Sequence, residues 1–289
     1  MRKPTEEWLR AINERFQRED IDLRGRPFRA LEAFLDEFKI QGIIFPSEIA
    51  ETIFNWFYRT YGEERYQTGP LFRGVHYMDS IFWPIYIPKT FGECEIDALE
   101  CLESMPTEFR RRIETENEEG WKYMLVWADC LDYAYGYDDI DHVSKYQGLA
   151  LEFIQSGNKE LQAAIDLLLQ RRPNSKAIEN CRMAVEIFLK AILIIKAGWD
   201  EERLIKRIGH DLKKAAGEVL TITHRPEIQE LKDGYAFFPE IDVRYQGKEW
   251  NNTDLWRGYL LAQSSATTFA RMFSKRDIRP LIFPPTGNK

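Results

Sequence analysis

The side chains best equipped for chemistry in this chain are basic, and they crowd one short stretch. Arg203, Lys206, Arg207, Lys213 and Lys214 lie close together, with Arg171, Arg172 and Arg182 upstream. Guanidinium and ammonium groups at that density suit the phosphates of RNA or of a nucleotide. The same stretch carries Glu201, Glu202 and Asp211. A salt-bridged, solvated surface is therefore the competing expectation. Asp138, Asp139, Asp141 and His142 offer oxygen and imidazole to a divalent cation, but the Gly and distal Glu of an EF-hand loop are missing. A polar linker with no metal is expected there. Trp83, Tyr86 and Phe91 could stack on bases, although such aromatics more often fill cores or interfaces. Arg110-Arg111-Arg112, followed by Glu114, Glu116, Glu118 and Glu119, fits a solvated helix laced by i,i+4 pairs.

Other chemistry is excluded by what the chain lacks. Cys94, Cys101, Cys130 and Cys181 form no C-x-x-C pair, so reduced, buried thiols are expected rather than a zinc knuckle. There is no Gly-rich phosphate loop, G-x-S-x-G elbow or H-E-x-x-H helix, and no cofactor is expected.

Several elements must position these groups. The chain has 289 residues, enough for a large core or two domains, and its 44% hydrophobic and 30% charged content is that of a globular protein. Residues 1–148 hold 18 Lys+Arg against 29 Asp+Glu, net −11, whereas residues 149–289 hold 22 against 18, net +4. That asymmetry suggests two domains, an acidic, aromatic-rich one over 1–140 and a basic one over 149–275. An extended, Pro-containing tail over 276–289 would follow. The longest apolar run, 187–195, is interrupted by Lys190 and is too short to span a membrane. The N-terminus lacks the apolar segment of a signal peptide, and a cytoplasmic protein is expected.

Periodicity makes the N-terminal half mostly helical. Helices are expected near Pro4, through Phe28–Phe38 positions at helical spacing, and after Ser47, a good N-cap. Further helices are expected over 96–103, 107–116 and 119–135, the last with Trp121, Leu125, Ala128 and Leu131 on one face. Residues 75–77 and 81–87 suggest a small β-hairpin, with Pro84 and Pro88 confining it to an edge. Gly136 and Gly148 bracket a polar stretch that marks the domain boundary. The C-terminal half reads as a helical bundle. An amphipathic helix over 158–170 is followed by a nearly all-apolar one over 177–197, which belongs at the centre of a core. After a charged connector, a third helix opens at His210-Asp211, and a last long one spans 253–273.

The pattern Asn180-x-x-x-Ala184-x-Glu186-x-x-x-Lys190-Ala191, followed by Gly209-His210-Asp211-Leu212, resembles the HEPN superfamily of small helical bundles. Asp242-x-Arg244-Tyr245, before the last helix, is similar to a further family feature. The resemblance covers about residues 150–275. It implies an up-and-down bundle, association with RNA or nucleotides, and a homodimer formed through bundle helices. RNA-cleaving members carry an Arg and a His with four to six residues between them. There the His acts as general base on a 2′-hydroxyl, the Arg holds the phosphate, and no metal is needed. Among His76, His142, His210 and His224, only His210 has such a partner, Arg203. In the family the pair usually lies near the final helices, where this chain has no His. The nucleotidyltransferase pattern that sometimes accompanies these bundles is absent as well.

The resulting expectation is a mainly α protein acting as a HEPN-like, non-catalytic binding or dimerisation module for RNA, a nucleotide or a protein partner. Arg182, Lys206, Arg207, Lys213 and Lys214 are its ligand-binding candidates. One alternative is a metal-independent endoribonuclease using Arg203 and His210. The other is a regulatory protein whose acidic N-terminal half masks the basic C-terminal half.

Overall fold

The computed structural model describes residues 3–40, 47–62, 65, 69–90, 94–142, 146–239 and 249–282, with the backbone alone at 141 and 142. The Asp242-x-Arg244-Tyr245 motif, Phe91, Pro284 and Pro285 lie outside the described residues, as do the side chains of Asp141 and His142. The fold is mainly helical with one small antiparallel sheet.

Two compact units are present, Met1–Gly69 and Pro70–Lys289. In the first, α1 (Glu6–Arg18) starts where Thr5 Oγ1 accepts the Trp8 amide, and α3 (Glu48–Tyr61) where Ser47 Oγ accepts that of Ala50. Between them α2 (Arg26–Phe38) begins with Pro27 in its first turn and ends at Lys39 in the left-handed conformation. The three amphipathic helices bury Leu9, Ile12, Phe16, Leu31, Phe34, Ile53 and Phe57 in a core of their own.

The second unit begins with a hairpin, β1 (Phe72–Met78) and β2 (Ile81–Ile87). Asp79 and Ser80 both adopt positive φ, 54° and 64°, as a two-residue hairpin turn of matching twist requires. Pro84 faces Val75 in the register, and the Val75 N–H points away from β2 to Tyr259 Oη at 3.0 Å. Pro84 therefore occupies a position where the ladder needs no donor.

Helices α4 (Thr107–Thr115), α5 (Asn117–His142), α6 (Leu149–Leu168) and α7 (Ala177–Ala197) follow. Then come α8 (Glu201–Arg207), α9 (Leu212–Thr223), α10 (Pro226–Gly234), α11 (Asn252–Phe273) and α12 (Arg279–Ile282). As its all-round apolarity requires, α7 is central and packs against α6, α9 and α11. The hairpin lies on α5 and α6, and α11 joins α5 to α7.

The boundary expected between residues 140 and 149 is not where the compact units part. One hydrophobic core runs from Phe72 to Ala270 and takes in Tyr123, Val126, Cys130 and Tyr133 of α5. Gly136, which suggested a helix end, is a packing position. A Cβ there would come within 2.9 Å of Ser274 Oγ and 3.0 Å of Ala270 Cβ. Gly157 does the same inside α6, against the ring of Phe188, so α6 starts well before residue 158. Of the face expected on α5, Ala128 is buried and Leu131 partly so, but Trp121 and Leu125 are exposed. Residues 96–103 form only a short 3-10 turn at Glu100–Leu102, and the expected extended tail contains α12. No helix among the described residues is long and apolar enough to cross a membrane.

Candidate functional site

The basic stretch becomes a corner built from α8 and α9. Asp200 Oδ1 caps α8 by accepting the Arg203 amide at 2.8 Å. Leu204 and Ile208 turn into the core, one helical turn apart, so Arg203, Lys206 and Arg207 stay exposed. Gly209, at φ 58°, then reverses the chain, with its amide bonded back to the Leu204 carbonyl at 3.0 Å. Asp211 caps α9 by accepting the Lys214 amide at 3.0 Å. That bond outweighs burial, the next-largest influence, and with help from the Lys214 ammonium holds its carboxyl below the usual range. Leu212, Ala215, Ala216 and Val219 are buried, which leaves Lys213 and Lys214 outside.

Charge is unevenly satisfied at this corner. Lys214 pairs with Asp211 at 3.3 Å, whereas Arg203, Lys206, Arg207 and Lys213 have no ion pair among the described residues. Glu201 and Glu202 lie in the first turn of α8 and the cations in its last turn, an order that complements the helix dipole.

Beneath the corner is a group of buried charges on α7. Arg182, Glu186 and Lys190 are spaced i, i+4 and i+8, and are only 7%, 2% and 8% exposed. Arg182 Nη1 donates to Glu186 Oε2 at 3.1 Å, and Lys190 Nζ to Glu186 Oε1 at 2.7 Å. Burial pushes the Glu186 carboxyl up, but Lys190 and His210 together outweigh it and hold the group below its ordinary value. The same Oε1 lies 2.9 Å from His210 Nδ1. Arg182 Nη2 donates to the His210 carbonyl at 2.6 Å. Side chain and backbone of the α8–α9 turn are thus both tied to α7. The His210 side chain remains 64% exposed.

Arg182 and His210 are therefore brought together, although Arg182 is buried and committed to structure rather than offered to a ligand. Arg203 is not joined to His210 by any hydrogen bond. Its guanidinium lies over the Trp199 ring, 4.4 Å from the centroid. Glu186 and Lys190 stood in the sequence pattern without an assigned role. Charged residues at i, i+4 and i+8 in the apolar middle of the helix were the available signal, because buried charges require partners.

The acidic stretch has a separate role. Residues 1–69 are nearly balanced, with 11 Lys+Arg against 13 Asp+Glu, so most of the acidity lies in 70–148, within the second unit. There Asp132 accepts Arg271 Nε at 2.7 Å, Asp129 accepts Arg279 Nη2 at 2.7 Å, and Asp139 accepts Arg276 Nε at 2.7 Å. Burial raises the Asp132 carboxyl despite Arg271. Asp139 is engaged by an arginine, and no metal-binding cluster occurs among the described residues. Trp83 packs against Phe109, with centroids 5.6 Å apart, while Tyr86 lines a cleft. Compared with protein-family models, curated proteins and solved structures, the chain finds no match.

Proposed function

We propose that this chain is a HEPN-like, non-catalytic binding protein whose α8–α9 corner holds the phosphate backbone of single-stranded RNA. The observation that carries this reading is the set of exposed, unpaired cations, Arg203, Lys206, Arg207 and Lys213, on two helices whose junction is pinned to the core. The pinned junction leaves no backbone to be ordered on binding, and each phosphate that the cations neutralise releases counterions. With four such contacts, log K falls with log salt at a slope of about −3.

The test is RNA binding over a salt series, with strand length followed in the same samples in EDTA. Lys206→Glu/Arg207→Glu should weaken binding and flatten the slope by about 1.4. Salt-insensitive binding, or an unchanged double variant, rejects the reading.

One observation favours a second reading, metal-independent RNA cleavage. Glu186 orients His210 through Nδ1 and leaves the exposed ring with its Nε2 available as a general base. Against it, Arg203 rests on Trp199 and Arg182 is committed to Glu186 and the His210 carbonyl. Cleavage in EDTA that disappears in His210→Ala would establish it.

A further inference from the structure

A second place on the molecule is built to take a small planar ligand. Between the hairpin, α5 and α6 lies a cleft of about 350 Å³, near the lower end of ligand-site volumes. Tyr86 and Tyr137, both partly exposed, supply its aromatic walls, and the buried Tyr133 lies beneath. Asn158 and Gln162, one turn apart on the same face of α6, place two carboxamides side by side in it. Tyr133 Oη donates to Asn158 Oδ1 at 2.9 Å, which fixes that amide and leaves its NH₂ group to donate. The Gln162 carboxamide has no hydrogen-bond partner among the described residues, so it brings both a donor and an acceptor. At the rim Arg73 pairs with Asp166, but both side chains are substantially exposed, at 36% and 60%. Such a pair contributes little and is easily exchanged for a phosphate.

We propose that this cleft is a nucleobase site, with Asn158 and Gln162 on the base edge, tyrosine faces against the ring and Arg73 toward a 5′-phosphate. A heterocycle with alternating donors and acceptors matches paired carboxamides, the side chains that read adenine edges in nucleic acids. Stacking on tyrosine then suits any base. The cleft shares no residue with the α8–α9 corner, so it stands whether or not that corner binds RNA.

The test is calorimetric titration of the full chain with the four nucleoside 5′-monophosphates and the matching nucleosides. Saturable binding of at least one is expected. Gln162→Leu should weaken it about tenfold or more with the melting temperature unchanged, because Gln162 supports no bond in the fold. Arg73→Ala should weaken the monophosphate and not the nucleoside. A strand of RNA whose binding is reduced by Gln162→Leu, with no effect on free nucleotides, would mark a base within a polymer as the occupant of the same site. Failure of every nucleotide and of RNA to respond to Gln162→Leu overturns the proposal. Loss of nucleotide binding in Lys206→Glu/Arg207→Glu overturns it too, because the ligand would then sit at the corner.

Discussion

Removing the Glu186 carboxylate tests whether α7 is held by charge as the geometry requires. Glu186→Ala leaves Arg182 and Lys190, each under a tenth exposed, without the counter-charge they share. Breaking a buried pair in this way costs about 3–5 kcal/mol, against total stabilities of about 5–15 kcal/mol. A triple replacement, Arg182→Met/Glu186→Leu/Lys190→Met, removes all three charges and keeps most of the volume. It should recover most of the loss, because the desolvation that the triad now offsets disappears with it. Urea unfolding near neutral pH, followed by circular dichroism, measures both. The triple variant should still bind RNA more weakly, because the Arg182 bond to the His210 carbonyl and the Glu186 contact to its ring are gone. A Glu186→Ala cost below about 1 kcal/mol would show that water reaches the triad and refute the reasoning. Acid should act in the same direction. The folded-state carboxyl lies below its ordinary value, so its contribution is present above the unfolded value of 4.5 and is lost as pH falls through the lowered one.

Two further outcomes follow from buried groups. His76 is 1% exposed, faces the Tyr123 and Trp256 rings, and has no partner at either ring nitrogen among the described residues; burial lowers it from 6.5 to about 4, with Glu119 opposing and Lys122 assisting. The unfolded chain therefore takes up the proton first, and stability should fall between pH 6.5 and 4, by ~2.5 kcal/mol at about pH 4.5. His76→Leu should lose that share of the acid sensitivity in unfolding curves, and an unchanged pH profile would contradict the burial argument. Among the four cysteines only Cys94 is exposed, while burial pushes the Cys101, Cys130 and Cys181 thiols up. Iodoacetamide should thus add a single group at Cys94 in the native protein, and mass spectrometry showing a second fast adduct would count against the packing around Cys130.

How much of this was legible depended on whether a residue's role was local. The helix 177–197 was readable because its apolar residues cover every face and Gly198, at φ 63°, ends it. The start of α9 at His210-Asp211 was readable because a cap is local too, and the structure makes Asp211 that cap. Gly136 misled because glycine punctuates helices only when its backbone is the issue. Here it is the missing Cβ, whose place is taken by Ser274 and Ala270 from elsewhere in the chain. Helix α8 looked like a charged connector because a short helix needs just Leu204 and Ile208 to anchor it. The orphaned imidazole of His76 left no sequence signal at all. Its burial depends on α5 and α11 reaching the hairpin.

The charge asymmetry was real, but its meaning changes once partners are known. Asp129, Asp132 and Asp139 of α5 are matched to Arg279, Arg271 and Arg276 near the end of α11 and beyond, and Glu118 and Glu119 to Lys122 of α5 itself, not to the cations of α8 and α9. Acidic and basic groups therefore pair with one another there, while Arg203, Lys206, Arg207 and Lys213 have no ion pair among the described residues. A chain of net charge −7 nevertheless repels a polyanion at long range. Attraction at the corner must act within a Debye length, about 8 Å at physiological salt. Lowering the salt strengthens both effects. The salt slope at the corner should consequently be shallower than its number of phosphate contacts alone would give, and neutralising exposed carboxylates of α5 such as Glu118 should steepen it.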